Sequence, residues 1–408
     1  MKISLPELLW YGNSTLELAL PDEWEVEVCR MRGARRPELD DRAMAAAIRD
    51  PIASPGVREL AAGRKKAVII FDDMTRPTPV ERIAPIVVDD LLKGGIQEEN
   101  ISFVCALGTH GALTRVELRK KIGQEILERF RVYNHNCYEN CEEVGTTARG
   151  TRLAINREVM SADLKIAIGC VTAHPNVGFS GGGKIVLPGV AHIDSITNYH
   201  LEVPKEAPES VGLGRFDRNV MRFDIEEAAR MAGLDFKIDV VVNERGATTG
   251  VFAGDFLEAH RQAVAEAKVL YALDPVPRGK QIMIANAFAK PNEMPIAVLV
   301  GAIGLEGFRG TVVVIANAPE GQVTHYLLGR FGQDYGGRQY PVSPIPGSVR
   351  LIIQSPYSDK AVADWFSNPE VVTYTKDWTE TLRLLRPEHD AGTRVGVVPS
   401  ATMVYYAG

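Results

Sequence analysis

The sequence predicts an α/β protein of two domains, each built on a mainly parallel sheet, with a cleft between them. Three observations carry this expectation. The chain has 408 residues, well past the size at which one hydrophobic core stops growing. Apolar runs of strand length alternate with helix-period segments in the βαβ order of parallel sheets. Polar or glycine-bearing loops follow three of those strands, at the edge where open α/β sheets bind ligands.

Residues 1–60 mix short apolar alternations with polar turns. Ala67-Val-Ile-Ile-Phe71 is a continuous apolar run, as expected of a strand buried on both faces, and it stops at Asp72-Asp73. Helical periodicity over residues 79–93 closes at Gly94-Gly95. Residues 101–107 read as the next strand, and Thr114-Arg-Val-Glu117 has capping-box spacing for a short helix. Residues 164–171 are the third strand of this set. The texture changes after Tyr271, where Asp274-Pro-Val-Pro277 reads as a linker. The expected division is an N-terminal domain, 1–272, and a C-terminal domain, 273–408. In the second, strands at 280–285, 311–316 and 349–354 alternate with helices at 294–303 and 322–331, and further helices fall near Ala361 and Thr379. The last apolar stretch, 395–406, fits a strand returning to either domain.

Composition narrows the function. A formal net charge of -6 disfavours nucleic acid, because phosphate neutralisation needs a basic surface. No apolar run reaches signal-peptide or membrane-helix length, so the expectation is a cytoplasmic protein without a membrane partner. Five cysteines, Cys29, Cys105, Cys137, Cys141 and Cys170, are an odd number that does not suit a disulfide framework.

The most specific local pattern is Gly178-Phe-Ser-Gly-Gly-Gly183-Lys184. Its spacing satisfies the phosphate-cradling GxxxxGK loop, but a Mg-nucleotide site needs Ser or Thr next, and Ile185 stands there. The following Val-Leu-Pro188-Gly189 also puts a proline where the loop's helix belongs. The glycines otherwise allow backbone to approach a bulky ligand while Lys184 is held against it, and a lysine amine can attach a cofactor covalently. A glycine-rich surface turn with a solvated lysine is the plain alternative. Of eight histidines, His110, His174 and His200 lie in or beside these glycine- or proline-rich segments; histidine is the proton carrier of neutral pH and the commonest metal ligand. Asp73-Met-Thr75-Arg76-Pro77 adds a carboxylate, a hydroxyl and a guanidinium suited to an anionic substrate; a local Asp–Arg salt bridge is the plain reading. The pair Cys137 and Cys141 lacks the second pair that structural zinc requires. HExxH and GxGxxG are absent from the sequence.

Taken in order, Asp73-x-Thr-Arg-Pro77, Gly108-Thr-His-Gly111, His174-Pro-x-x-Gly-Phe-Ser-Gly-Gly-Gly-Lys184 with Ile-Val-Leu-Pro-Gly189, and His200 resemble the nickel-dependent lactate racemase family. The likeness runs from about residue 65 to 245 and includes Phe223-Asp-Ile-Glu-Glu-Ala-Ala229. It implies a racemase or epimerase that inverts C2 of a small 2-hydroxy acid through a nickel-pincer nucleotide. That cofactor is a pyridinium mononucleotide with two sulfur-bearing arms, supplied by cofactor-maturation enzymes. By resemblance Lys184 carries it as a thioamide and His200 ligates the nickel, while Thr75, Gly181, Gly182 and Gly183 contact it. His110 and His174 become the acid–base pair, Arg76 the carboxylate anchor, and Asp73 a group that orients its neighbours. Family members share a Tyr-Gln pair and a following lysine in the second domain. The matching stretch here, Asn286 to Val300, lacks the pair and offers Lys290, Asn292 and Glu293 instead, which argues against lactate as substrate. A P-loop hydrolase and a non-catalytic small-molecule binder are the competing classes, and homo-oligomerisation stays open.

Overall fold

The computed structural model describes residues 1–327, 332, 343–357 and 359–407. In chain order the main strands are Glu25–Val28 (β1), Ala67–Asp72 (β2), Ile101–Ala106 (β3), Arg131–Asn134 (β4), Leu164–Cys170 (β5), Phe236–Val242 (β6), Thr248–Gly254 (β7), Ile282–Asn286 (β8), Gly310–Ile315 (β9), Val349–Gln354 (β10), Thr373–Thr375 (β11) and Arg394–Val398 (β12). The helices used below are Val80–Lys93 (α1), Arg115–Ile122 (α2), Ile193–Leu201 (α3), Val220–Ala232 (α4), Glu258–Leu270 (α5), Pro295–Gly304 (α6) and Trp378–Leu385 (α7).

The strands form two six-stranded sheets, ordered β7-β6-β5-β2-β3-β4 and β11-β10-β9-β8-β12-β1. Every pairing in them is parallel except β6 with β7. The α/β class with mainly parallel sheets is thus observed. Strands β2, β5 and β6 are buried along their whole length, which is why they carry continuous apolar runs such as residues 67–71 and 240–242. Helix α1 buries Val80, Ile83, Ala84, Val87, Val88 and Leu91, one face at helical spacing. The capping box of α2 is present, with Glu117 Oε2 accepting from the Thr114 amide at 2.6 Å and Thr114 Oγ1 accepting from the Glu117 amide at 3.3 Å.

The chain separates into two compact units, one of residues 36–243 and 247–268, the other of residues 1–35, 244–246 and 269–408. The N-terminal residues cluster with the C-terminal sheet because β1 pairs with β12 and because Leu5, Leu18, Leu20 and Trp24 share a core with Ile282, Ile284, Val313, Val395 and Val397. The expected linker is also different. Leu273–Asp274 pairs antiparallel with Arg30–Met31, so Asp274 belongs to a short strand. The final apolar stretch forms β12 between β8 and β1. Near Ala361 the chain makes a 3-10 helix, Lys360–Trp365. The 322–331 helix is not seen over residues 322–327, and residues 328–331 lie outside the described residues. Among the described residues no helix is long and apolar enough to cross a membrane.

Candidate active site at the carboxyl edge of the first sheet

In the first sheet β2, β3 and β4 step in one direction, whereas β5 lies on the other side of β2. The strand order therefore reverses between β2 and β5, and the loops leaving their C-terminal ends part to leave a crevice. The loop after β2 carries Asp73, Thr75 and Arg76; the loop after β3 carries His110; the segment after β5 carries His174 and Lys184. Six of the sequence-predicted residues thus come from three adjacent strand ends.

Asp73 organises the first two loops. Its Oδ1 accepts from the Thr75 amide at 2.9 Å and the Thr75 hydroxyl at 2.5 Å, and its Oδ2 lies 2.6 Å from His110 Nδ1. Burial opposes a charge on Asp73, yet His110, Arg76 and Thr75 together hold its carboxyl well below the usual range. A carboxylate only accepts, so the His110 proton sits on Nδ1 and the lone pair on Nε2. Arg76 Nη1 donates to the carbonyl and the hydroxyl of Thr75, both at 2.8 Å, and its charge lies near enough to favour the Asp73 carboxylate.

A second layer fixes this loop. Lys121, wholly buried at the end of α2, places Nζ 2.8 Å from Asp72 Oδ1 and donates to the Arg76 carbonyl at 2.8 Å. Asp72 Oδ2 accepts from the Thr78 hydroxyl at 2.6 Å and the Cys170 amide at 3.1 Å. One carboxylate thus ties the ends of β2 and β5 together.

His174 is 8% exposed and ends a two-residue strand, Ala173–His174, that pairs with Gly178–Phe179. Its Nδ1 accepts from the amides of Asn176 at 3.2 Å and Val177 at 3.4 Å. Amides only donate, so this ring carries its proton on Nε2, opposite to His110.

Residues Gly182–Ile185 form a single 3-10 turn, and the next α-helix starts only at Ile193. A phosphate loop that feeds a helix N-terminus is therefore not formed. The glycines have a packing role. A Cβ on Gly181 meets Asp239 Oδ1 at 2.8 Å, one on Gly182 meets His260 Cδ2 at 2.6 Å, and one on Gly183 meets Ala229 Cβ at 2.8 Å. The sequence had suggested that they make room for a ligand; in the fold their bare faces admit α4, α5 and β6. Gly182→Ala, with φ +59 and that contact, is expected to lower stability by about 2–4 kcal/mol, measured by urea denaturation.

Behind the turn lies a buried charge cluster. Asp239 accepts from the Gly182 amide at 2.9 Å, pairs with Lys237 Nζ at 2.7 Å and with His260 Nδ1 at 2.9 Å. Burial works against its charge, but Lys237 and His260 hold its carboxyl well below the usual range. Arg222, 2% exposed, donates from Nη1 to the Gly181 carbonyl at 3.3 Å. Its Nε and Nη2, and His260 Nε2, are buried without a hydrogen-bond partner.

Lys184 itself is half-buried. It lies close enough to His200, on α3, for its charge to disfavour the imidazolium. Burial is the larger cause, and together they push His200 down to about 4 although its Nδ1 faces the Ile196 carbonyl at 2.8 Å. Nδ1 is thereby the donor and Nε2 the lone-pair nitrogen. Lys290 belongs to the other unit, where its side chain is wholly buried.

Sequence reading missed Asp72, Lys121, Arg222, Lys237, Asp239 and His260. One signal was present: Phe236-Lys-Ile-Asp-Val places two opposite charges on one face of an otherwise apolar strand, and such charges are buried only as a pair.

Buried neutral histidines make stability depend on acid. His135 and His260 are each lowered to about 4, first by burial. The unfolded chain, with histidines near 6.5, takes up these protons first, so their contribution is intact above about pH 6.5 and is lost as the pH falls toward 4. Urea unfolding at pH 5 is expected to show a loss of about 2 kcal/mol per histidine relative to pH 7, and the slope is expected to flatten in His135→Gln.

A parallel α/β protein with an aspartate-held histidine, a second buried histidine and a lysine at the switch point of its sheet gathers its titratable side chains at the edge where such folds bind ligands. A family model described as the lactate racemase N-terminal domain matches residues 11–212. Lactate racemase of Thermoanaerobacterium thermosaccharolyticum is 32% identical over 254 residues, 61% of this chain and 59% of that protein. Lactate racemase of Lactiplantibacillus plantarum is 31% identical over 276 residues, 67% of this chain and 65% of that protein. These alignments span less than two thirds of either relative. In structure, the lactate racemase apoprotein of T. thermosaccharolyticum superposes with a TM-score of 0.76 over 100% of both chains at 24% identity. A Thermotoga maritima protein superposes with a TM-score of 0.66, at 17% identity, over 91% of this chain and 99% of that one. These two establish the fold. Residues 11–212 of the chain belong to the lactate racemase N-terminal domain family.

Proposed function

We propose that this protein is a racemase or epimerase acting at C2 of a small 2-hydroxy acid other than lactate, with a nickel-pincer nucleotide held on Lys184. The observation that carries the reading is the pair of histidines with opposite proton placement at one sheet edge, His110 on Asp73 and His174 on backbone amides.

The residues fit the cofactor in three respects. Among the described residues no group of three or more His, Cys, Asp or Glu could hold a metal, so a metal on His200 would draw its other ligands from a bound group. His200 has its Nδ1 engaged by a carbonyl, the arrangement that orients a metal-binding imidazole. Arg222 offers two adjacent buried N–H groups without an acceptor, a fork suited to an oxyanion such as a nucleotide phosphate. When bound, the cofactor supplies the acceptor and donor for hydride.

The chain supplies the rest. Arg76 binds the substrate carboxylate. His110 Nε2 accepts the hydroxyl proton, and Asp73 stabilises the resulting imidazolium. His174 Nε2–H donates a hydrogen bond to the ligand. For the opposite enantiomer the two histidines exchange roles, and His174 then gives up its amide bonds. Asp73→Asn is expected to lower kcat about 10²–10⁴-fold while leaving KM within severalfold, because the histidine loses both its tautomer and its counter-charge; steady-state kinetics check this.

The test is to mature the protein with cofactor-synthesis enzymes and assay chiral 2-hydroxy acids, sugar acids included, for stereoinversion. About one nickel per chain, added mass on the Lys184 peptide and inversion of at least one acid are expected. Protein so treated that holds neither nickel nor added mass overturns the reading.

A further inference from the structure

The second sheet has a pocket of its own at the C-terminal ends of β9, β10 and β11. It encloses about 140 Å³ and is lined entirely by residues of the unit formed by 1–35, 244–246 and 269–408. A cavity of about 150 Å³ holds a benzene ring, so this is room for roughly six non-hydrogen atoms. The carboxyl edge of a parallel sheet is a place where ligands bind, and this pocket is distinct from the Lys184 crevice, whose residues all lie in the other unit.

The lining specifies the chemistry. Ala316, Ile353 and Val362 give an apolar surface that suits a short carbon body. Two carboxylates also line it, but both are engaged with backbone: Asp359 accepts from the amides of Gln322 at 2.6 Å and Ala361 at 2.9 Å, and Glu380 accepts from the Lys376 amide at 2.8 Å. Lys376, Tyr374 and Tyr357 supply an ammonium and two phenols. Burial, with Asp364 and Asp359 nearby, pushes the Tyr374 phenol up, so it stays a donor at neutral pH. These groups suit a carboxylate. Gln322 adds the complementary feature: its Nε2 donates to the Pro291 carbonyl at 2.8 Å, which fixes the amide orientation, and its Oε1 is buried with no hydrogen-bond partner. An acceptor in that position calls for a ligand hydroxyl.

We infer that this pocket is a second binding site, for a small hydroxycarboxylic acid whose carboxylate meets Lys376 and the two tyrosines and whose hydroxyl reaches Gln322. The site stands independently of the racemase reading and of any cofactor.

The experiment is a titration of the full-length ¹⁵N-labelled chain, followed by the backbone amide signals of Gln322, Tyr357 and Lys376, with sodium lactate and with sodium propionate. Saturable shifts at these amides are expected with lactate, and propionate is expected to bind about fivefold more weakly for want of one hydrogen bond. Lys376→Glu is expected to weaken lactate binding at least about tenfold, and Gln322→Met to abolish the preference over propionate, each with amide signals elsewhere unchanged. Lys184→Arg is expected to leave the titration intact. Absent saturable shifts, equal affinities for the two acids, or unchanged affinity in Lys376→Glu overturns the proposal. Because the readout is local, the result does not depend on stereoinversion.

Discussion

Lys184→Arg is expected to abolish added mass on the active-site peptide and to reduce stereoinversion at least about 10³-fold, the scale on which loss of a covalent catalytic group is felt. Arginine keeps the positive charge and most of the length, and it sits on a turn whose backbone is fixed by the Gly182 amide on Asp239 and by the Arg222 contact to Gly181. The fold should therefore survive. What is lost is an amine that can become neutral and form an amide-type bond, which a guanidinium does not do at any working pH. Intact-protein mass spectrometry after maturation, together with an unchanged melting temperature, separates a lost attachment from a lost fold. Residual turnover at wild-type level with no added mass would show that Lys184 is not the tether.

The second large effect is expected from Lys121→Met, which is isosteric along the chain but removes the ammonium. Asp72 would then keep Thr78 and the Cys170 amide but lose its ion pair with Lys121, in a place where Lys121 is wholly buried. Removing one member of a buried pair typically costs about 3–5 kcal/mol, measured here by urea denaturation. The Arg76 carbonyl also loses its donor, so where the variant remains folded KM is expected to rise more than kcat falls, the loop that holds the substrate carboxylate having been loosened. The double change Asp72→Asn with Lys121→Met is expected to recover part of the stability, since the orphaned charge is gone.

The parallel sheets and most strand positions were legible because continuous apolar runs such as residues 67–71 and 164–171 have few other folds available to them. The loop residues Asp73, Arg76, His110 and His174 were legible because polar side chains at strand ends in a glycine-rich setting have little packing reason to be there. The partnership of residues 1–35 with the C-terminal sheet was not, since β1 is four residues long and its pairing partner lies more than 360 positions away; short-range pattern carries no record of such a register. The supporting layer of Lys121, Lys237, Asp239 and Arg222 was hidden for another reason. A charge on a helix end or in a strand is ordinarily solvated, and only the fold reveals that these are enclosed. The three glycines were read as space for a ligand, while the structure shows the space filled by His260, Ala229 and Asp239.

The order of the second sheet has a consequence for how the chain comes off the ribosome. Strand β1 pairs only with β12, and β12 alone joins it to β8. Residues 25–28 are thus left without a strand partner until residues 394–398 emerge, while the unit of residues 36–268 has all six of its strands long before that. Domains fold as units during synthesis, so the Lys184-bearing unit can form, with its crevice complete, while the other still waits for its closing strand. A chain shortened before Arg394 is expected to keep the first sheet and expose the edge of β8, and proteolysis of such a fragment should stop at a resistant core close to residues 36–268.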